Sequence, residues 1–461
     1  MSNRVPLTHQ QPNQRISNFS EVIMGYSKAE AVAEATRCLN CKKPRCVTGC
    51  PVHTNIPLFI SCLKEDKLDL AYDVISLTNS LPSVCGRVCP HEHQCEGNCI
   101  QGIKGQSIAI GSLERFIADY HVNKLQIAQP VKVSWSNAIN TKIAVIGSGP
   151  AGLTCASELA QNGYHVTIFE KNAHAGGMLV YGIPKFRLPR EVVDKQLEEL
   201  AELGVEIKTN SPIENAQSLE NLRMLGYDAF FIAIGATKPY QMGVEGEQLE
   251  GVFTASEYLA RINFLDISDN HIDANRVVAV VGGGNTAMDA ARCALRQGAS
   301  KVYCIYRRSE KEMPACKEEI EDAVDEGIDF KFLTNPIRII GDNGYAIGIE
   351  CVKMELGELD GSGRPKAIPI KDSNYTISAD CIIMALGASP DQVIKQAIQD
   401  LQFSPKGTIV ADEKCRTNVE GVFAGGDVVN GSATVITAMS AGRTAARSIM
   451  EYLSDKYKTE Q

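Results

Sequence analysis

Residues 141–152 read TKIAVIGSGPAG, and the prediction for the rest of the chain starts from this stretch. The apolar, β-branched run at 142–147 predicts a buried parallel strand, and the pattern LTCASELAQNG after the glycines predicts a helix. Between them, Gly147 permits a tight turn, Gly149 lets a pyrophosphate approach the backbone, and Gly152 lets helix and strand pack closely. The stretch therefore predicts a dinucleotide-binding unit with the phosphates at the helix N-terminus.

Residues around this turn extend the predicted site. The next strand, HVTIFE, ends in Glu170, whose carboxylate can accept a hydrogen bond from a ribose hydroxyl. Pro150 and Ala151 begin the helix, and Gly177 and Leu179 belong to a loop expected to lie along the same ligand. The alternative is a glycine-rich turn in an ordinary βαβ unit.

The composition argues against several classes of function. The 461 residues carry a net charge of -9, which disfavours nucleic acid and anionic membranes as partners. No apolar run reaches the roughly 18 residues that a membrane-spanning helix needs, and the N-terminus is polar rather than a signal peptide. With 44% hydrophobic residues and about 150 residues per domain, we predict a soluble cytoplasmic protein of about three domains.

The cysteines are unevenly distributed, with nine of the 16 in the first 99 residues. Eight of these form the runs Cys38-x2-Cys41-x4-Cys46-x3-Cys50 and Cys85-x3-Cys89-x5-Cys95-x3-Cys99, and a proline follows both Cys50 and Cys89. A Cys-Pro pair that closes such a run is typical of iron-sulfur sites. The alternative is two structural zinc sites, although zinc ribbons favour CxxC at both ends. Seven cysteines in apolar contexts are predicted to be small buried hydrophobic residues, namely Cys155, Cys293, Cys304, Cys316, Cys351, Cys381 and Cys415.

A second dinucleotide signature lies in the middle of the chain, where the strand RVVAVVGGG leads into a glycine turn and a helix. Gly284, Asn285 and Thr286 form this turn and are predicted to bind phosphate. The following strand, KVYCIYRR, ends in Arg307 and Arg308 where the first unit has an acid. Paired guanidiniums bind a 2′-phosphate that a carboxylate repels, so they favour NADPH over NADH. The alternative is a solvated strand end that happens to be basic.

The last signature, GVFAGGDVVNGSATVITAMSAGRTAARSIM, lies near the C-terminus. A strand delivers Gly426 and Asp427, whose carboxylate can accept a hydrogen bond from a ribityl hydroxyl. A helix that starts near Ala433 and includes Thr434 and Val435 directs its N-terminus at the flavin edge that becomes negative on reduction. Because this piece completes the first nucleotide domain from the far end of the chain, the NADPH domain is predicted to be inserted in the FAD domain.

The fold class predicted is therefore α/β, with a helical iron-sulfur domain followed by two Rossmann-like domains. The boundaries proposed are 1–135 for the helical domain, 136–255 and 391–461 for the two parts of the FAD domain, and 256–390 for the NADPH domain. Residues 1–27 predict an arm that lies on another part of the molecule or is partly mobile. Helices are predicted at 28–39, 58–64, 68–78 and 108–123.

Two further stretches carry weaker predictions. Trp135 lies in a polar linker at 124–140 and is expected to anchor it against a domain surface. The Gly- and Pro-punctuated loop YGIPKFRLP at 181–189 is too irregular for a core element and predicts either a cofactor-facing loop or a connecting turn.

These motifs together closely resemble the glutamate synthase small-subunit family. The resemblance covers nearly the whole chain and rests on CxxCxxxxCxxxCP, GSGPAG, GGMLVYGIPKFRLP, GGGNTAMDAAR, YRRSEKEMPA and AGGDVVNGSATVITAMSAGR. Relatives of similar build are the large subunit of bifurcating ferredoxin:NADP oxidoreductases, the sulfide dehydrogenase flavoprotein subunit and the N-terminal half of dihydropyrimidine dehydrogenase. The resemblance implies FAD, NADPH and two 4Fe-4S clusters as cofactors.

The resemblance also implies the cluster ligands. Cys38, Cys41, Cys46 and Cys99 would hold one cluster, and Cys50, Cys89 and Cys95 would hold the other, which leaves one position open. In this family the last ligand is a carboxylate or amide in a segment like IAIGSLERF, which points to Glu114, with Cys85 as the rival. An oxygen ligand would shift the potential of that cluster.

The resulting hypothesis is an NADPH-linked oxidoreductase in which a hydride passes between nicotinamide and flavin without a protein acid, base or nucleophile. Electrons then pass singly through two clusters to or from a partner, either a glutamate synthase large subunit or a ferredoxin-type carrier. No stretch remains for an amidotransferase, so glutamate formation would need another chain. The alternatives are a subunit of a bifurcating ferredoxin:NADP oxidoreductase or sulfide dehydrogenase complex, and a redox-inactive binding module.

Overall fold

The structure is a computed structural model that describes residues 3–125, 139–264, 273–361 and 363–459. The prediction that Trp135 anchors the linker lies outside the described residues.

The N-terminal part of the chain is helical. Its α-helices are α1 (Pro12–Arg15), α2 (Lys28–Thr36), α3 (Arg45–Thr48), α4 (Ile56–Lys64), α5 (Leu68–Ser76), α6 (Pro82–Val88) and α7 (Ile110–Leu125). Ser27 begins α2 with a capping box, because its side chain accepts from the Glu30 N–H while the Glu30 carboxylate accepts from the Ser27 N–H. Helices α4 and α7 enclose an apolar core that includes Phe59, Leu63 and Ile117. The four predicted helices are confirmed, with ends displaced by at most three residues.

The first sheet is parallel and has the strand order β16-β4-β1-β2-β3. Its strands are β1 (Ile139–Ile146), β2 (Tyr164–Phe169), β3 (Glu206–Lys208), β4 (Tyr227–Ile232) and β16 (Val422–Ala424). Its helices are α8 (Pro150–Gln161), α9 (Met178–Tyr181), α10 (Arg190–Glu202), α11 (Ala216–Met224), α15 (Ile394–Ala397), α16 (Asp427–Asn430) and α17 (Val435–Thr459). Because β16 comes from the far end of the chain and pairs with β4, the predicted insertion of one nucleotide domain in the other is confirmed.

The inserted domain has a second parallel sheet in the order β6-β14-β7-β8-β9 and an antiparallel sheet beside it. The strands are β6 (Val252–Thr254), β7 (Val277–Val281), β8 (Lys301–Ile305), β9 (Asp329–Lys331), β10 (Thr334–Asp342), β11 (Tyr345–Leu359), β12 (Pro365–Pro369), β13 (Tyr375–Ser378) and β14 (Cys381–Met384). The helices are α12 (Ala255–Phe264), α13 (Asn285–Arg296) and α14 (Lys317–Asp325). The second sheet thus already includes β6, which precedes the proposed domain start at 256.

The chain leaves and re-enters the first domain through two short strands, β5 (Lys238–Pro239) and β15 (Ala388–Ser389). These strands pair antiparallel with each other. The two connections between the nucleotide domains therefore run side by side.

The N-terminal arm lies on the helical part at one end and on the inserted domain in its middle. Arg4 forms an ion pair with Glu96 of the helical part, with 2.6 Å between Nη1 and Oε2. Arg15, which is 2% exposed, has its Nη2 2.9 Å from Asp322 Oδ1 and its Nε 2.7 Å from Glu326 Oε1, both carboxylates of the inserted domain. A buried ion pair is costly to break on one side only, so these contacts fix the arm.

The prediction that the loop at 181–189 is too irregular for a core is wrong. Phe186 is 1% exposed and Leu188 is 2% exposed. The Phe186 ring lies beneath two guanidiniums of α13, 4.8 Å from Arg292 Cζ and 4.0 Å from Arg296 Cζ. Local periodicity missed this burial because the covering groups come from the other nucleotide domain.

Within the described part of the chain, no helix combines the length and apolar character needed to cross a bilayer.

Candidate functional site

Four of the predicted iron-sulfur thiols line one cavity at the outer side of the helical part. The cavity is lined by Cys38, Cys41, Cys46 and Cys99, together with apolar side chains such as Ile60. All four cysteines are half-buried and free. Burial raises the pKa of the Cys46 thiol to about 11, and the neighbouring Cys99 and Cys38 thiols add to the rise. A cationic iron centre favours the thiolate forms that such a site needs, so this donor set fits an iron-sulfur cluster.

A second donor set lies deeper. Burial raises the pKa of Cys50 and of Cys95, and the charge of Glu114 adds to the rise at both thiols. The Cys85 thiol raises the pKa of Cys89 through a hydrogen bond, with burial and the charge of Glu114 adding to it. The charge of Glu114 therefore acts on all three of the predicted thiols, and the Cys85 thiol lies within hydrogen-bonding reach of Cys89. Within the described residues, no three His, Cys, Asp or Glu side chains converge tightly enough to hold a single metal ion.

The two candidates for the last ligand have different surroundings. Glu114 is 9% exposed and accepts one side-chain hydrogen bond, from Asn79 Nδ2 at 2.5 Å. Burial raises its pKa to about 8, because that single donor does not replace the lost hydration. The Cys85 thiol donates to Asn79 Oδ1, with 3.6 Å between sulfur and oxygen, and its sulfur lies 3.5 Å from the sulfur of Met439 on α17 within a hydrophobic core. A buried carboxylate with one donor fits a cationic centre better than a thiol that is already hydrogen-bonded in a hydrophobic core does.

The first glycine turn has the geometry that a pyrophosphate site requires. Gly147 has a φ of +103°, and an added Cβ would lie 2.5 Å from the Ala233 carbonyl oxygen. A Cβ on Gly152 would lie 2.0 Å from the Gly147 carbonyl oxygen. At Gly149, by contrast, a Cβ would meet nothing within 4 Å. Gly147 and Gly152 are thus needed for packing, and Gly149 borders open space that fits a phosphate.

Glu170 is buried and already bonded. One oxygen, Oε2, accepts from the Ser148 N–H at 3.1 Å and from the Ser148 hydroxyl at 2.5 Å, and the other accepts from the Asn172 N–H at 2.8 Å. The residue also borders the large cleft at this end of the sheet. Its carboxylate therefore stabilises the glycine turn through hydrogen bonds from Ser148 as well as facing the cleft. The sequence pattern did not indicate the contact with the turn.

Residues from three distant segments complete the first site. Gly177 (φ +54°) lies against Gly149, since a Cβ on it would be 2.9 Å from Gly149 Cα, and Leu179 is 2% exposed in the hydrophobic core beside it. Asp427 accepts from the Ala433 N–H at 3.3 Å, and burial raises its pKa to about 6. The residues of the first site that line the cleft are Gly147, Gly149, Pro150, Ala151, Glu170, Gly177, Asp427, Thr434 and Val435. Gly426 (φ +78°) precedes Asp427, and a Cβ there would lie 3.0 Å from Ala151 Cβ.

The second glycine turn repeats this geometry. A Cβ on Gly282 (φ +150°) would lie 2.4 Å from the Ala385 carbonyl oxygen, whereas a Cβ on Gly284 would meet only Pro314 Cγ, at 3.9 Å. Gly284, Asn285 and Thr286 line the same cleft.

Asn285 connects this turn to Cys316. Its Oδ1 accepts from the Cys316 N–H at 2.9 Å, and its Nδ2 lies 3.6 Å from Cys316 Sγ. Cys316 is half-buried, so the prediction that all seven scattered cysteines are buried is wrong at this position, and the other six are buried. The reason is that Cys316 precedes α14 at the surface of the turn and is not part of a strand or helix core.

The two arginines after β8 have different environments. Both border the cleft, but Arg307 is exposed. Arg308 is 3% exposed, and its guanidinium donates to Asp360 Oδ2 and to the Pro365 carbonyl oxygen, both at 2.7 Å. Asp360 and Pro365 lie at the turn that joins β11 to β12, so Arg308 holds the tip of that hairpin. Arg364 from the same tip also borders the cleft.

A single cleft of ≈ 1390 Å³ is bordered by both glycine turns. This volume exceeds the roughly 300–1,000 Å³ of a pocket for one small ligand, as a site shared by two ligands requires. Val88, Pro90 and Gln94 from the helical part also border it, and Gln94 Nε2 lies 3.5 Å from Thr434 Oγ1. The segment between Cys89 and Cys95 therefore lies against the first nucleotide site.

Sequence reasoning missed several residues at the cleft. Ser148 and Gln94 carry no motif signal beyond their neighbours. Arg187 borders the cleft and pairs with Asp289 of the second nucleotide domain, with 2.8 Å between Nη1 and Oδ2. The available signal for Arg187 was a cation in a largely apolar loop, which also contains Lys185.

Comparisons with known proteins agree with this architecture. Residues 15–126 match the family described as dihydropyrimidine dehydrogenase domain II, 4Fe-4S cluster, and residues 141–442 match the pyridine nucleotide-disulphide oxidoreductase family. The chain is 37% identical over 448 residues to the NADPH-dependent glutamate synthase small chain of Escherichia coli, covering 94% of both chains. It is 39% identical to the beta subunit of the NADP(+)-dependent formate dehydrogenase of Moorella thermoacetica, covering 88% of this chain and 60% of that one. The solved structure of Mycobacterium tuberculosis FprA in complex with NADPH matches 69% of this chain and 86% of its own, with a TM-score of 0.59 and 20% identity, and so shares the fold.

Proposed function

Because the chain belongs to the family of the NADPH-dependent glutamate synthase small chains, we propose that it transfers electrons between NADP(H), FAD and two 4Fe-4S clusters, to or from a partner protein. The observation that carries this proposal is the shared cleft, which both glycine turns and the Cys89–Cys95 segment border. When bound, FAD and NADPH supply the hydride chemistry and the clusters carry single electrons. The protein's own task is to bind, orient and shield these groups.

On the FAD side, the open space at Gly149 and the N-terminus of α8 suit a pyrophosphate. Glu170 and Asp427 offer carboxylate oxygens toward ribose and ribityl hydroxyls from opposite ends of the domain. The N-terminus of α17, at Val435, would stabilise negative charge on the flavin. The proposed FAD residues are Gly147, Gly149, Pro150, Ala151, Gly152, Glu170, Gly177, Leu179, Gly426, Asp427, Thr434 and Val435.

On the NADPH side, Gly284 and Thr286 at the start of α13 are proposed to bind the pyrophosphate, with Asn285 holding the turn in shape through Cys316. Arg307 is proposed to contact the 2′-phosphate directly, because its guanidinium is exposed at the cleft. Arg308 supports the same region by holding the hairpin tip. The sequence favours two arginines that bind the phosphate together. We propose instead that Arg307 contacts the phosphate and that Arg308 stabilises the neighbouring hairpin.

For the clusters, we assign Cys38, Cys41, Cys46 and Cys99 to an outer site, and Cys50, Cys89, Cys95 and Glu114 to an inner site next to the flavin. The shared cavity supports the outer set, and the electrostatic effect of Glu114 on all three thiols supports the inner set. In this assignment the inner site is the one nearer the cleft, because the Cys89–Cys95 segment borders it. The partner would then exchange electrons at the outer site.

An anaerobic NADPH titration tests the proposal. Protein purified without oxygen should contain one FAD and about eight irons with matching acid-labile sulfide, and NADPH should bleach both flavin and iron-sulfur absorbance. Stoichiometric zinc without labile sulfide, or flavin that NADPH does not reduce, would refute the proposed electron path. If zinc replaced the clusters while NADPH still reduced the flavin, the path through the clusters would be refuted and the hydride transfer from NADPH to FAD would stand.

A further inference from the structure

The surface around the outer thiol cavity differs from the rest of this acidic chain. The segments 38–50 and 97–107 form its rim and contain cations but no Asp or Glu. Lys43 and Arg45 line the cavity, and Lys42 and Lys104 are exposed in the same two segments. In a protein of net charge -9, this patch has the opposite sign to the whole.

These cations have no acidic partners among the residues that the structure describes, in contrast to two exposed lysines elsewhere in the helical part. Lys28 pairs with Asp66 at 2.7 Å, and Lys124 pairs with Asp69 at 2.8 Å. No such ion pair exists for the four rim cations within the described ranges. Their charge therefore remains available to another molecule.

Exposed apolar side chains occupy the same rim. Leu39 is 61% exposed, Ile100 is 47% exposed and Ile103 is 65% exposed. The two segments are held together, because Gln101 Nε2 donates to the Arg37 carbonyl oxygen at 2.8 Å. A small apolar patch surrounded by cations is typical of a protein-binding surface rather than of a solvated loop.

We infer that this rim, made of Leu39, Lys42, Lys43, Arg45, Ile100, Ile103 and Lys104, is the docking surface for an acidic electron-carrier protein or subunit. The inference rests on the proposed function, since it gives the outer cluster site its partner. Charge complementarity selects an acidic protein surface, and the small apolar area indicates a transient complex that forms quickly and depends on salt. A second copy of this chain is also acidic overall, but it would bring its own basic rim to a symmetric contact, which would repel.

The reaction at this surface is a one-electron exchange. NADPH gives up a hydride, which carries two electrons, so each NADPH yields NADP+ and one proton and reduces two one-electron carriers. The probe chosen is rubredoxin, a small acidic one-electron iron protein, with basic cytochrome c for comparison. Menadione, which is small and uncharged, reports NADPH oxidation independently of this surface.

The test compares the variant Lys42→Glu/Lys104→Glu with the control Lys371→Glu/Lys406→Glu, which changes the net charge equally at exposed lysines elsewhere. We expect the rim variant to lower kcat/KM for rubredoxin about 10-fold or more at low salt, within the one to three decades that charge changes produce in association rates. Its rate with cytochrome c should rise, its menadione rate should stay at the wild-type value, and the rubredoxin rate of the wild type should fall with salt.

Equal rubredoxin rates for the rim variant, the control and the wild type would overturn the docking surface. The docking surface would also be overturned if the wild type, but not the rim variant, bound vesicles containing phosphatidylserine. The same holds if the wild type, but not the rim variant, formed a dimer in analytical ultracentrifugation. Absence of menadione reduction by the wild-type holoprotein would instead refute the proposed function, so the two failures are distinguishable.

Discussion

The two glycine turns share one backbone design but differ in the residues at the end of the second strand of each unit. In the first unit Glu170 is buried and hydrogen-bonded to Ser148, so the strand end is part of the turn itself. In the second unit Arg307 is exposed to the cleft, while Arg308 is committed to a hairpin 52 residues away in sequence. The same strand, turn and helix therefore suit two different cofactors because the strand ends differ in charge and in burial.

The largest effect is expected from the glycines that both turns need for packing. Gly152→Ala places a Cβ 2.0 Å from a backbone oxygen that cannot move independently. We expect a loss of roughly 1–3 kcal/mol or more of unfolding free energy, measured by denaturant unfolding of the flavin-free protein.

Gly149→Ala is the matched control, because its Cβ would meet nothing within 4 Å. It should fold with wild-type stability and lose FAD, whereas Gly284→Ala should retain FAD and lose NADPH affinity. If Gly149→Ala bound FAD as tightly as the wild type, the phosphate position would be wrong.

The next effect concerns the inner cluster site beside the first turn, where an oxygen and a sulfur compete as the last ligand. Glu114→Ala should make one cluster labile and lower the iron content, while Glu114→Gln should keep both clusters and change the electron paramagnetic resonance signal or potential of one. Cys85→Ser should change little, because Cys85 packs against Met439. Loss of a cluster in Cys85→Ser, with unchanged spectra in Glu114→Ala, would reverse the assignment.

A smaller effect is expected on coenzyme binding, where Arg307 and Arg308 are proposed to have different roles. Arg307→Ala should raise the Michaelis constant for NADPH by about 10- to 150-fold, since losing a charge-assisted contact costs roughly 1.5–3 kcal/mol. The constant for NADH should change much less. Equal changes for both coenzymes would contradict a 2′-phosphate contact.

Arg308→Ala should raise the NADPH constant less than Arg307→Ala does, and it should speed hydrogen exchange in the β11–β12 hairpin because its bonds to Asp360 and Pro365 are lost. If Arg308→Ala raised the Michaelis constant for NADPH more than Arg307→Ala did, Arg308 rather than Arg307 would be the residue that contacts the 2′-phosphate.

The smallest effect comes from the arm, which contacts the second nucleotide domain. The Asp322 carboxylate raises the pKa of His9 through a hydrogen bond and its charge, the charge of Glu318 adds to the rise, and burial and Arg15 oppose it. Since the folded pKa lies above the unfolded value, the stabilisation is complete below the unfolded pKa and is lost as the pH rises through the folded one.

Hydrogen exchange of the arm should therefore be faster at pH 8 than at pH 6, after correction for intrinsic rates. The free energy of opening should differ by less than about 1 kcal/mol between the two pH values. His9→Gln should remove most of this pH dependence while leaving the contacts of Arg15. The same pH dependence in His9→Gln as in the wild type would assign it to another group.

The sequence by itself determined the features that depend on spacing within one element. The glycines at 147, 149 and 152 predicted the turn, the cysteine runs predicted the metal-binding part, and the returning C-terminal strand predicted the inserted domain. Each motif is local, because a turn, a helix face or a strand is read from residues that are close in the chain. The insertion follows from the order of these motifs along the chain.

Only the tertiary structure decided which groups meet across long separations. Arg308 binds Asp360, Arg15 pairs with Asp322 of α14, and Phe186 is buried under α13. The charge of Glu114 acts on thiols from both cysteine runs. A charged or aromatic side chain can pair with any of many distant partners, and folding selects one of them by packing and desolvation rather than by spacing. For this reason the sequence predicted two arginines for one phosphate, and the fold left one of them exposed at the cleft.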